Sequence, residues 1–415
     1  MSIRTAITRF LHFCLQIFFR RIEVDGEERV PRDKPVIFAS NHPNGLVDPL
    51  FLLGYAARPV SFLAKAPLFR WPVVGWLVRK LDTIPVYRKQ DNTSGSNDEM
   101  FAKARSVLRG GGTIAIFPEG TTHDDPQLRE LKTGAARIAL GAALDEVFVV
   151  PTGIYYTAKH VFRSAALVVF GEPIRVVPSG EDIDRVEELT AQIDAGLDAV
   201  TVQADSHAAL DLIARAEDIF TADDEQPLSE ELELRRRFVE GYHYLREHDP
   251  QRLEKLQSAI VQFEAELRHA KLDVHELKSR LNVGRLFRVL VMLPIAIAGA
   301  IVSYPTYRLI GVLAGRFSKG ESAVKATIKF LAALLFYPLT YLAVAILVGL
   351  RFGWIAGVVT ALVLPFIAYV ALIVFEDIDD VIGDLRAMVH PRDALLARRR
   401  AIREEIVAIE ERMRG

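Results

Sequence analysis

A chain of 415 residues, half of them hydrophobic and with a formal net charge of −2, has room for two or three structural units. So near-neutral a total excludes the dominant basic field that general nucleic-acid binding requires. The single cysteine, Cys14, excludes an internal disulfide and a cysteine-rich metal site, and gives no sign of an oxidising compartment.

The chain opens on MSIRTAITRFLHFCLQIFFRR. Ile3, Ile7, Phe10, Cys14 and Ile17 recur at helical spacing, while Arg4, Arg9, Arg20 and Arg21 meet no acid before Glu23. That pattern predicts an amphipathic helix within residues 1–25, lying in a membrane interface. The competing reading is a core helix packed on the domain that follows. His12 and Gln16 interrupt the apolar run and no small-residue cleavage site follows, which argues against a signal peptide.

Residues 26–180 alternate short β-rich runs with helix-sized segments. PVIFAS (35–40), PVSFLA (59–64), TIPVYR (83–88), TIAIFP (113–118), VFVVPTGIYY (147–156) and ALVVFGEPI (166–174) read as strands. Helices are expected between them at 49–57, 97–109 and 133–144, and the polar KQDNTSGSND (89–98) reads as a loop. The fold class is therefore α/β, with a mostly parallel sheet covered by helices on both faces. In such sheets chemistry gathers beyond the carboxyl ends of the strands.

Residues 181–283 lose the strand signal and read as a helical arm, a hairpin or short coiled coil. Ser229 is the expected cap of its second helix. Its charge runs are solvated faces without chemistry, a place where a protein partner could sit.

The region 284–375 reads as membrane, with hydrophobic runs at 289–307, 330–350 and 352–375. A helix of about 20 residues spans a hydrocarbon core of about 30 Å. The basic stretch 308–329 and the basic Arg280, Arg285 and Arg288 would fall on opposite sides of three straight crossings, which the positive-inside rule resists. The expectation is a first run kinked at Pro294 and Pro305 that dips in and returns, then one hairpin, with the soluble parts on the cytoplasmic side. The tail 376–415 reads as a basic amphipathic helix on the membrane surface.

The chemistry concentrates after the strands. NHPNGLVDP (41–49) sets His42 and Asp48 six apart. An imidazole can take a proton from an alcohol near neutral pH, and a carboxylate on its other nitrogen fixes the tautomer. Asp48 followed by Pro49 also reads as a helix N-cap. FPEGTTHD supplies Glu119, Gly120 and Thr121, DTIPVYR ends on Arg88, LAK ends on Lys65, and LKTGAA brings Lys132 beside a glycine. Backbone N–H groups with Arg and Lys make an anion site. His123 and Asp124, adjacent on a loop, are read as local caps.

The ordered set NHxxxxxD, IPVxR, FPEGT and VVPTG resembles the four blocks of the glycerolipid acyltransferase family over roughly residues 30–175. The gap of five residues between His42 and Asp48, where four is usual, is similar to the glycerol-3-phosphate/dihydroxyacetone phosphate branch. The resemblance implies that His42 is the general base on the acceptor hydroxyl and Asp48 its partner. It implies that Glu119, Gly120 and Thr121 position the acceptor's glycerol, while Arg88, Lys65 and Lys132 hold its phosphate. N–H groups near Gly120 or Val150 are the oxyanion candidates. It further implies a membrane-bound O-acyltransferase of phospholipid synthesis that takes its acyl group from acyl-CoA or acyl-carrier protein. No metal or redox cofactor and no nucleic acid are implied. The alternatives are lysophosphatidic acid acylation, a transacylase or hydrolase using the same base, and a non-catalytic membrane scaffold.

Overall fold

The computed structural model describes residues 2–87, 97–222, 226–318 and 321–414. The chain divides into two compact units, Met1–Ser206 with Gly320–Thr327, and His207–Lys319 with Ile328–Gly415. Arg88 and most of the expected loop 89–98 lie outside the described residues.

The first unit is built on strands β1 (Arg21–Asp25), β2 (Val36–Ser40), β3 (Val60–Lys65), β4 (Ile84–Val86), β5 (Thr113–Ile116), β6 (Val147–Tyr156), β7 (Ala165–Phe170) and β8 (Ile174–Val176). Their order is β1-β7-β6-β2-β5-β3-β4, with β8 also on β6. The central pairs β6–β2, β2–β5, β5–β3 and β3–β4 are parallel; β7 and β8 run antiparallel to β6. All five residues of β2 are buried, as a strand covered on both faces requires. The expected strand 166–174 is two strands, parted at Gly171 and Pro173. β1, which no sequence run announced, completes the edge through its parallel ladder with β7.

Helices α1 (Ile3–Phe18), α2 (Val47–Tyr55), α3 (Pro72–Lys80), α4 (Asn97–Arg109), α5 (Gly134–Leu140) and α6 (Ile183–Asp198) belong to this unit. One face of α1 packs on the domain, as the core-helix reading expects, and the other is left exposed. Leu11, Leu15 and Phe18 are buried in the domain, while Ile3, Phe10 and Phe13 are more than half exposed. α6 packs on the first unit through Val186, Leu189, Ile193 and Leu197, so the expected arm 181–283 is not one body.

The second unit holds α7 (His207–Thr221), α8 (Leu228–His248), α9 (Pro250–Ala270), α10 (Val283–Phe317), most of α11 (Ser322–Phe352), α12 (Trp354–Val389) and α13 (Asp393–Arg414). α8 starts at Leu228, so Ser229 lies within its first turn rather than capping it. α13, expected on the membrane surface, instead buries Leu395, Ile402, Ile406 and Ile409 in one core with Ile260, Phe263 and Leu267 of α9. An amphipathic stripe reads the same whether lipid or protein covers it, and here protein does.

α10, α11 and α12 are long and apolar enough to cross a membrane. Each runs well beyond the expected apolar core, so much of the stretch 308–329 is helical rather than loop. Pro294 and Pro305 lie inside one continuous α10. α10 and α12 are antiparallel: Arg288 near the start of α10 makes paired hydrogen bonds of 2.7 and 2.8 Å to Asp377 near the end of α12. Farther along, Gly299 packs against Ile367 and Ala371. α11 folds back on α12 through Gly349 and Gly357. Three straight alternating crossings would have set α10 and α12 parallel.

Candidate active site

The site lies where β2, β5 and β6 end. Asn41, the first residue past β2, uses its amide to lock β6: Nδ2 donates to the Ile154 carbonyl at 3.1 Å and Oδ1 accepts from Ile154 N–H at 2.8 Å. The chain then turns through Pro43, Asn44 and Gly45, where Gly45 has a φ of +37°. Val47 N–H closes the turn on the Asn44 carbonyl at 2.9 Å. This turn absorbs the fifth residue of the gap and brings His42 Nδ1 to 2.9 Å from Asp48 Oδ2.

Asp48 is fully buried in the first turn of α2, a position where the helix dipole favours an anion. It is not the N-cap expected from sequence, because the helix starts at Val47 and Leu46 holds the N-cap position. Asn44 N–H donates to Oδ2 at 2.7 Å and Tyr156 Oη donates to Oδ1 at 2.5 Å. Three donors converging on two oxygens suit a carboxylate, which can only accept. With Nδ1–H directed at Asp48, Nε2 is left as the nitrogen able to accept a proton. The imidazole stacks on Phe117 with ring centroids 4.1 Å apart and planes at 17°, and its side chain keeps 16% exposure.

Glu119, just past β5, is buried. Its Oε1 accepts His42 N–H at 3.0 Å and its Oε2 accepts Arg129 N–H at 3.0 Å and faces His123 Nε2. Both oxygens are thus engaged inside the protein, and Glu119 ties the β5 loop to the backbone of His42 rather than offering a free carboxylate. His123 accepts Asp125 N–H on Nδ1 at 3.2 Å, so it binds locally as expected, with Glu119 as the added partner. Asp124 pairs with Lys159, whose ammonium donates to the Pro43 carbonyl at 3.2 Å.

Gly120 has a φ of +71°, and a Cβ there would run into the Lys132 side chain. Lys132 is anchored by its own N–H on the Pro118 carbonyl at 2.8 Å, and its ammonium lies over the glycine. Gly120 N–H donates to the Phe117 carbonyl at 2.9 Å, and Val150 lies in the ladder opposite Phe38. Both expected oxyanion donors are thus placed within the fold's own hydrogen-bonding framework. Thr121 is half-buried and donates from Oγ1 to the Thr122 carbonyl at 3.4 Å. Lys65 is exposed at the carboxyl end of β3, one strand beyond β5. The structure therefore gathers His42, Asp48, Glu119, Gly120 and Lys132, sets Lys65 on the same edge, and leaves Arg88 outside the described residues.

Sequence reasoning missed Tyr156, Asn41, Asn44 and Phe117. A signal existed for Tyr156: in a strand, Thr152, Ile154 and Tyr156 share a face. Burial and the neighbouring Asp48 hold its phenol well above the ordinary range, so it stays protonated. Burial likewise pushes the Cys14 thiol up to about 11, which makes it a poor nucleophile.

Fold and site together define an α/β protein with a histidine–aspartate pair at the carboxyl edge of a mostly parallel sheet. Residues 21–155 match the family described as Acyltransferase. Residues 216–411 match the Glycerol-3-phosphate acyltransferase 2 C-terminal domain. Glycerol-3-phosphate O-acyltransferase 1 of Saccharomyces cerevisiae is 26% identical over 82% of this chain, which spans 60% of that protein's length. An uncharacterized acyltransferase of Schizosaccharomyces pombe is 24% identical over 91% of this chain and 75% of its own length. The crystal structure of a 1-acyl-sn-glycerophosphate acyltransferase from Thermotoga maritima is 24% identical, covering 47% of this chain and 82% of that one with a TM-score of 0.34.

Proposed function

We propose that the protein transfers a fatty acyl group from a thioester of coenzyme A or acyl-carrier protein to a hydroxyl of glycerol-3-phosphate or dihydroxyacetone phosphate. The observation that carries this is the His42–Asp48 contact of 2.9 Å on a fully buried carboxylate. Nε2 removes the proton from the acceptor hydroxyl as its oxygen attacks the thioester carbonyl, and Asp48 stabilises the imidazolium. Collapse of the tetrahedral intermediate breaks the C–S bond, and the imidazolium returns the proton to the departing thiolate. No acyl-enzyme is needed. Lys132 over Gly120, Lys65 at the end of β3 and Arg88 supply cations for the acceptor's phosphate.

The reaction takes place at a membrane surface, since acyl chain and product partition into lipid. In support, Ile3, Phe10 and Phe13 of α1 and Trp71 and Trp76 stand exposed on the first unit. The antiparallel α10 and α12 favour a first segment that dips and returns, with both soluble parts on the cytoplasmic side.

An acceptor panel with the purified full chain and labelled acyl-CoA or acyl-carrier protein tests the reading. Label is expected in lysophosphatidate or acyl-dihydroxyacetone phosphate. Turnover of lysophosphatidate but of neither small acceptor would overturn the choice of acceptor, and label released only as free fatty acid would overturn the transfer itself.

A further inference from the structure

Tyr156 has no part in the proton transfer just described, yet it makes the hydrogen bond of 2.5 Å to Asp48 Oδ1. The two oxygens of Asp48 have separate duties: Oδ2 takes His42 Nδ1 and Asn44 N–H, and Oδ1 takes the phenol. We propose that Tyr156 is a positioning residue for the general base, holding Asp48 in the one rotamer that presents Oδ2 to the imidazole. The inference rests on the reading of His42 and Asp48 as the base and its partner.

The ring is itself held. It packs beside Phe19, with centroids 5.7 Å apart, and edge-on to Phe51 at 5.6 Å, and both phenylalanines are fully buried. Asp48 is thus fixed from two directions, by its own backbone on α2 and by the last residue of β6. A phenylalanine would fill nearly the same space, so packing alone does not call for the hydroxyl. The phenol also draws charge from the carboxylate that faces His42 Nδ1. Other charged or titratable groups around this loop include Glu119 on the His42 N–H, His123 on Glu119, Asp125 beside His123, Lys132 over Gly120, and Lys159 on the Pro43 carbonyl with Asp124 as its partner.

The test compares the purified full chain with Tyr156→Phe, with a fluorinated tyrosine at position 156 and with His42→Ala, using the best acceptor of the panel. Tyr156→Phe is expected to lower kcat by about tenfold or more, with both KM values within about twofold. It is also expected to move the acidic limb of the kcat/KM profile to higher pH, because Asp48 then carries its charge unshared. The fluorinated residue, a stronger donor of the same shape, should move that limb to lower pH. A merely structural role would lower the melting temperature and the active fraction while leaving the limb in place, and an unmoved limb in both variants overturns the proposal. Should Tyr156→Phe fail to fold, the fluorinated variant decides alone. If His42→Ala keeps full activity, the reading of the base fails and takes this inference with it; if His42→Ala is inactive and the limb is unmoved, only the role of Tyr156 falls.

Discussion

Replacing Asp48 by asparagine removes the charge at the centre of the site while nearly conserving its shape. Asn44 N–H and His42 Nδ1 both approach Oδ2, at 2.7 and 2.9 Å, and Tyr156 approaches Oδ1 at 2.5 Å. With its carbonyl in the place of Oδ2, the amide still accepts from Asn44 and His42. Its NH2 then takes the place of Oδ1, where the Tyr156 hydroxyl can rotate to accept instead of donate. Every buried polar group keeps a partner, so the fold survives. The opposite orientation would set the amide N–H against the Asn44 N–H at a buried site, an unmade hydrogen bond costing about 1–3 kcal/mol. What is lost is stabilisation of the imidazolium in the transition state. General-base assistance contributes about 10²–10⁴-fold, or roughly 3–6 kcal/mol at about 1.4 kcal/mol per factor of ten. Asp48→Asn should therefore lower kcat by at least about a hundredfold, with acceptor KM and melting temperature close to those of the parent. The assay is label transfer at saturating acceptor, paired with thermal unfolding in the same detergent. A variant that keeps more than about a tenth of parental kcat would refute the role given to the pair.

Gly120→Ala meets a φ of +71° and the Lys132 side chain, so it should cost about 1–2 kcal/mol of stability and raise acceptor KM as the displaced cation leaves the site. Thermal unfolding and acceptor titration read the two effects. In the second unit, burial pushes the Glu217 carboxyl up to about 7 from an ordinary 4.5, against the pull of Arg235. A folded-state value above the unfolded one means stability is greatest below about pH 4.5 and is lost as pH climbs toward 7, by at most on the order of 3 kcal/mol. The melting-temperature difference between Glu217→Gln and the parent should accordingly move in the variant's favour from pH 5 to pH 8. Gly299 leaves only 2.6 Å between a built Cβ and the Ile367 carbonyl, whereas Gly311 on the same helix has open space. Gly299→Leu should lower the melting temperature by an overpacking cost of about 1–3 kcal/mol, and Gly311→Leu should not.

Much of the sheet was legible because buried parallel strands write themselves as apolar runs: β2 and β5 are named almost to the residue by PVIFAS and TIAIFP. RIEVD, now β1, was not. It is short and charged, and its place is set by pairing with β7 far along the chain. The stripe of α13 could not say what would cover it, since Leu395, Ile402, Ile406 and Ile409 suit lipid as well as the helices that bury them. Spacing and turn chemistry allowed the pairing of His42 with Asp48, and the ordered set of motifs around it gave that pairing its weight. Its support was not, because Tyr156 reaches Asp48 across 108 residues. Glu119 looked like a substrate ligand in sequence. The loop through Arg129 wraps back on it and uses its oxygens, which only the folded loop reveals.

The most direct measurement is label transfer by His42→Ala in the full chain reconstituted in lipid, beside the parent protein. Transfer to glycerol-3-phosphate or dihydroxyacetone phosphate is expected to fall by at least about a hundredfold while helical content and membrane insertion stay unchanged. Transfer persisting at the parental rate in a correctly inserted His42→Ala protein would contradict it.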